Sequence, residues 1–171
     1  MPMINEDEIA EILTFEEESS SGESCKFIDL GNGWGIKCFD CSDGCEYSYV
    51  TQKEAAKHDL APNVGKRFEL TDHNGDGWFC HMTEVADCIA GYGFHNSQAE
   101  YFNELGEGEP EDYLRDERND NLLRFYDVTG TDYLDDHVGN WGWITRGDKR
   151  ILVPIDFNLC YRFYVKIMGI E

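Results

Sequence analysis

The sequence predicts an α+β fold, strand-rich first and helix-rich later. Three observations predict it. Residues 26–40, KFIDLGNGWGIKCFD, set two short apolar runs around a glycine-rich turn. The runs FEL (68–70) and WFCHM (78–82) flank His73-Asn74-Gly75-Asp76-Gly77, a tight-turn signal between strands. Helical spacing replaces alternation over 45–58 and again in NLLRFYDVTG, residues 121–130.

Residues 1–24 hold eight acids, no Lys or Arg, and the run Ser19-Ser20-Ser21-Gly22. They are expected to form an acidic flexible tail, with Ile9, Ile12 and Leu13 allowing one weakly docked helical turn. Residues 25–171 read as a single domain divided at residue 88, into 25–88 and 89–171. In the helix from Cys45 to His58, Tyr47, Val50 and Glu54 share a face, and Leu60-Ala61-Pro62 ends it. Ser97 and Glu100 form a capping box opening a helix through Leu105. Residues 104–120, acidic and turn-rich, read as a surface loop, followed by a helix at least through Tyr126. The stretch WGWITRGDKRILVPIDF reads as a final hairpin turning at Arg146-Gly147-Asp148.

Composition bounds function. The hydrophobic fraction of 41% and aromatic fraction of 13% suffice to bury a core. No apolar run reaches membrane-spanning length, and the acidic start MPMINEDEIAEI is unlike a secretory or mitochondrial leader, so a cytoplasmic protein with no membrane partner is expected. The net charge is −21, with 14 Lys and Arg against 35 Asp and Glu, which disfavours direct nucleic-acid binding. That acidity serves solubility, or else imitates a polyanion in the nucleic-acid site of a basic protein. Seven cysteines, an odd number, argue for reduced thiols over a disulfide framework. Cys38, Cys41 and Cys45, with Cys80-His81 further on, lack the second tidy pair of a structural zinc site. Asp72-x-Asn74-x-Asp76-Gly77 matches the start of a calcium loop, but Thr83 stands at the twelfth position and the flanks read as strands.

The strongest chemical signal is Tyr133-Leu134-Asp135-Asp136-His137-Val138-Gly139-Asn140, followed by Ile155-Asp156-Phe157. Magnesium-dependent phosphoryl transfer needs a carboxylate near the attacking hydroxyl and oxygen ligands for the metal. Asp135 and Asn140 stand five apart on one loop, and Asp156 returns across a hairpin to the same place. These residues resemble the catalytic loop and metal-binding aspartate of the protein-kinase-like superfamily, particularly the aminoglycoside-phosphotransferase branch and small bacterial or phage kinase-like proteins. Upstream, Gly31, Gly33 and Gly35 resemble a contracted phosphate-covering loop, Ile36-Lys37 the strand lysine, Glu54 its helix partner, and Met82-Thr83-Glu84-Val85-Ala86 the hinge that receives adenine. The resemblance spans about residues 27–158.

The resemblance implies a truncated kinase-like fold: a small antiparallel-sheet N-lobe with one helix, and a reduced helical C-lobe. It implies ATP and magnesium as cofactors. Gly31, Gly33, Gly35, Lys37 and Glu84 would bind nucleotide, with Glu54 holding Lys37. Asp135 would orient or deprotonate the acceptor hydroxyl, and Asn140 and Asp156 would ligate the metal. The acceptor is an unidentified protein or small molecule. Only thirteen residues follow Asn158, where kinases carry an activation segment and further helices. The alternative is therefore an inactive pseudokinase, or an acidic polyanion-mimicking inhibitor of viral origin that binds a basic host protein in the host cytoplasm.

Overall fold

Glycine turns and alternating apolar residues build the first sheet. The computed structural model describes residues 3–15, 25–88, 114–136, 138–158 and 160–170. Strands β1 (Lys26–Asp29) and β2 (Trp34–Phe39) pair antiparallel, with Phe27 opposite Lys37 and Ile28 opposite Ile36. Helix α2 (Ser42–Ala56) crosses over, and β3 (Val64–Thr71) and β4 (Gly77–Glu84) form the second hairpin. The sheet order is β1-β2-β4-β3, so the crossover sends β3 to the far edge and β4 returns beside β2.

The two-residue period of β2 and β4 gives the sheet two different faces. One carries Ile36, Cys38, Cys80 and Met82, which join Ile9, Ala10 and Leu13 of helix α1 (Glu6–Phe15) in a single apolar cluster. Of the two forms expected for this segment, a flexible tail or a docked helical turn, residues 6–15 take the docked helix. Their stripe at 9, 10 and 13 is narrow but wholly buried, while residues 16–24 lie outside the described residues.

The other face carries Lys37, Phe39, His81 and Thr83 beneath α2. The buried side of α2 is Cys45, Ser48, Thr51, Gln52 and Ala55. The face shared by Tyr47, Val50 and Glu54 is not the buried one. A polar groove under the sheet selects polar helix residues, which apolar spacing cannot reveal.

Strand β5 (Asp87–Cys88) leaves the first sheet and pairs with β6 (Trp141–Arg146). β6 pairs in turn with β7 (Lys149–Pro154) through a Gly147-Asp148 turn, giving a second antiparallel sheet ordered β5-β6-β7. Helix α3 (Arg115–Thr129) begins earlier than expected, so residues 115–120 are helical rather than loop. The capping box at Ser97 and Glu100 lies outside the described residues. Helix α4 (Tyr161–Met168), which the sequence reading did not assign, closes a second core of Ala55, Leu60, Ala61, Phe125, Tyr133, Phe157, Cys160 and Phe163. The fold is thus mixed α+β, built on small antiparallel sheets. Among the described residues no helix is long and apolar enough to cross a membrane.

Candidate functional site

The loop after α3 is tied to the end of β7 by a continuous set of hydrogen bonds. Asn140 Nδ2 donates to the Asp135 backbone oxygen at 2.9 Å and to its Oδ2 at 2.8 Å. The five-residue spacing thus closes into a side-chain-locked turn. Ile155 N donates to Asn140 O at 2.8 Å, one step beyond the Trp141–Pro154 end of the β6–β7 ladder. That step places Asp156 next to the Asp135–Asn140 turn. Tyr133, buried below, donates its hydroxyl to Asp156 O at 2.5 Å. Asp156 Oδ1 accepts from Asn158 N at 2.9 Å, fixing the carboxylate over its own turn.

Lys37 reaches this cluster from the first sheet. Its ammonium donates to Ile155 O at 2.6 Å and to Gln52 Oε1 at 2.8 Å. The residue is 6% exposed. Burial lowers its pKa, and the neighbouring Asp156 carboxylate works against that shift. The Cys25 and Cys160 thiols nearby are pushed up to about 12, chiefly by burial, so at neutral pH they contribute no negative charge.

The expected Lys37–Glu54 ion pair is not formed. Glu54 Oε2 pairs with Lys57 Nζ at 2.7 Å on the outer side of α2. At about 100° per residue, positions 52 and 54 are separated by roughly 200°. The helix can aim only one of them at the sheet, and it aims Gln52. Gln52 Nε2 donates to Pro62 O at 3.0 Å and to Thr83 Oγ1 at 2.8 Å, so each end of the amide is engaged. Its neighbour on the same face, Ser48, contacts His81 Nε2 at 3.1 Å, while His81 Nδ1 lies 3.0 Å from Met82 O. A carbonyl only accepts, so the proton sits on Nδ1 and Ser48 donates to Nε2. Burial, with Lys37 adding to it, lowers the His81 pKa to about 3 and keeps the ring neutral.

The three glycines separate into two kinds. Gly31 and Gly33 have φ of +77° and +86° and make the β1–β2 turn, where Asp29 Oδ1 accepts from Gly31 N at 2.8 Å. Gly35 lies within β2, and a Cβ there would stand 2.4 Å from the Phe27 ring. Its absent side chain makes room for Phe27. Gly33 O accepts from Val85 N at 2.9 Å, so the turn abuts the 84–86 segment. Glu84 itself is held as a clamp. Arg146 takes its carboxylate with both terminal nitrogens, and Asn63 N donates to Oε1 at 2.9 Å. Burial works to raise the Glu84 pKa, but these hydrogen bonds outweigh it and the net shift is downward.

Asp136 was not singled out in the sequence. Its Oδ1 accepts from Trp141 Nε1 at 2.7 Å and from Arg118 Nη1 at 2.9 Å, anchoring the loop to α3 and β6. The signal was present as the doublet Asp135-Asp136, of which one acid serves the turn and the other its foundation. His137 lies outside the described residues.

The other metal-like motifs have structural occupations. Asp72 caps its hairpin, accepting from Asn74 N, Asp76 N and Trp78 Nε1 at 2.9–3.0 Å. The Trp78 bond leads the causes that lower its pKa. Cys38 and Cys80 stand opposite each other in the β2–β4 ladder, and Cys41 caps α2 by accepting from Gly44 N at 3.4 Å. Among the described residues no three His, Cys, Asp or Glu side chains are grouped to hold a metal. Asn140 and Asp156 offer a different donor set, one amide oxygen and one carboxylate. The sequence matches no protein-family model, and no curated protein matches it.

Proposed function

We propose that this chain is a reduced kinase-like protein that binds Mg-ATP and transfers its terminal phosphate to an acceptor hydroxyl. The observation that carries the reading is one chain of contacts, Lys37 to Ile155, Ile155 to Asn140, and Asn140 to Asp135, which gathers residues up to 118 positions apart. The order of elements supports it: strand lysine, crossover helix, hairpin, helix, acid loop, hairpin, aspartate.

The donor set fits magnesium. Asn140 spends its amide nitrogen on Asp135, which leaves Oδ1 as its ligating atom, and Asp156 adds a carboxylate. Magnesium favours a few protein oxygens completed by phosphate and water, and when bound it would offset the phosphate charge. Lys37 would donate to phosphate oxygens. The Asp135 carboxylate would accept the acceptor's hydroxyl proton as the new P–O bond forms and the bond to the ADP leaving oxygen breaks. The Gly31–Gly33 turn, with nothing within 4 Å of either missing Cβ, would cover the phosphates closely.

The test is titration of the whole chain with ATP, with and without magnesium, read by melting temperature and by ADP formation. A rise that requires both components, with turnover, supports the reading. An unchanged melting temperature at millimolar Mg-ATP overturns it. The charge of −21 favours a second reading, an inactive acidic protein occupying a basic partner's site. That reading expects a salt-sensitive complex and no response to ATP.

A further inference from the structure

We propose that Gln52 is the positioning residue for Lys37, and that its neutrality leaves the Lys37 ammonium to be compensated by the ligand's own phosphates. The inference rests on the nucleotide-binding reading and deepens it, naming a polyphosphate as the group the site is built to receive.

The amide of Gln52 cannot be turned round. Pro62 O can only accept, so it requires the Nε2 end, 3.0 Å away, and Thr83 Oγ1 takes the second Nε2 proton at 2.8 Å. That leaves Oε1 facing Lys37 Nζ at 2.8 Å. A glutamate at position 52 would set an acceptor against Pro62 O, so the network specifies an amide. Gln52 is fully buried, which fixes its rotamer by packing as well as by hydrogen bonds.

The electrostatic result follows. Lys37 has two partners, both neutral, and no carboxylate is paired with it among the described residues. Asp156 acts on it only through space, and it is the residue the proposed metal would take. A buried ammonium without an ion-pair partner is costly, and an arriving polyanion relieves that cost. Phosphate attraction should therefore persist without metal.

The experiment uses tripolyphosphate in EDTA as the anionic probe and adenosine as the uncharged one, each titrated by calorimetry into the full chain and into Gln52→Glu. The wild type should bind tripolyphosphate without metal. Gln52→Glu places a carboxylate beside Lys37, and should weaken tripolyphosphate by about tenfold or more while leaving adenosine unchanged. An equal loss for both probes would mark Gln52 as merely structural and overturn the proposal. Unchanged tripolyphosphate affinity in a folded Gln52→Glu overturns it too, while wild-type Mg-ATP binding keeps the nucleotide reading intact. A wild type that binds neither Mg-ATP nor tripolyphosphate sinks both. Should Gln52→Glu fail to fold, Gln52→Met and Lys37→Met decide: each should weaken tripolyphosphate by about tenfold or more while leaving adenosine unchanged. Unchanged tripolyphosphate affinity in either folded variant overturns the proposal.

Discussion

Arg146 grips Glu84 through two parallel hydrogen bonds, Nη1 to Oε2 at 2.9 Å and Nη2 to Oε1 at 2.7 Å, joining β6 of one sheet to the end of β4 in the other. Asp59 lies 3.5 Å from the same guanidinium. Both side chains of the pair are about three-quarters buried, so the pair is better shielded than a surface bridge. Arg146→Met should cost about 2 kcal/mol, because it strands a largely buried carboxylate as well as losing the bonds. Urea midpoints of the two proteins measure it, and a difference near zero would mean the sheets are held by their other contacts, Lys37 to Ile155 among them.

His81 predicts an acid-sensitive stability. Its folded pKa of about 3 lies below its ordinary value of 6.5, so between those limits the unfolded chain binds a proton that the folded chain refuses. The stabilisation is complete above pH 6.5 and declines as pH falls toward 3, by about 1.4 kcal/mol per unit. In urea melts from pH 7 to 4, the wild type should lose stability faster than His81→Asn. Parallel curves would place the acid sensitivity in the carboxylates instead.

Gly35→Ala and Gly33→Ala should both destabilise, for different reasons. At position 35 the new methyl meets the Phe27 ring at 2.4 Å and Ile28 O at 3.0 Å, an overpacking cost of about 1–3 kcal/mol. At position 33 the space is open and the penalty is backbone strain at φ +86°, about 1 kcal/mol. Adding Phe27→Leu should rescue Gly35→Ala and leave Gly33→Ala unmoved. Thermal melts of the single and double variants separate the two mechanisms.

Asp135 and Asp156 should part company in binding. Asp135→Ala should lower phosphate transfer by about 10²–10⁴-fold with nearly unchanged ATP affinity, since its proposed work is on the acceptor proton. Asp156→Ala should weaken magnesium-dependent ATP binding by about tenfold or more. Equilibrium titrations alongside single-turnover assays distinguish them. Identical binding losses in both would remove the division of labour.

Much of the scaffold was legible because turns announce themselves. Asn74-Gly75 and Gly147-Asp148 sit where the two hairpins reverse, and the β1–β2 turn falls on Gly31 and Gly33. The Asp135–Asn140 spacing was legible for the same reason, since five residues of loop close on one side-chain amide. What escaped was decided by tertiary burial. Helix α2 hides Ser48, Thr51 and Gln52 in a polar groove, which apolar spacing does not reveal, and the resemblance that paired Glu54 with Lys37 points to the opposite side of the helix. In α4 the buried pair Phe163 and Val165 is two residues apart, a strand-like period within a helix. In α1 three buried residues among four acidic neighbours read as a tail or at most a weakly docked turn until the sheet that covers them is present. A lone stripe that short has no meaning without its docking surface.

Strand β5 belongs by sequence to the first half of the chain and by hydrogen bonding to the second sheet. Only Val85 and Ala86 separate it from β4. A fragment ending at Cys88 would therefore carry a strand with no ladder, and a fragment starting at Arg115 would carry β6 with one edge bare. Neither piece can complete its hydrogen bonding alone, but each presents what the other lacks. Co-expressed, the two should find each other through this short ladder, the Glu84–Arg146 and Lys37–Ile155 bonds and the shared core, which makes the crossing point a natural seam for a split reporter.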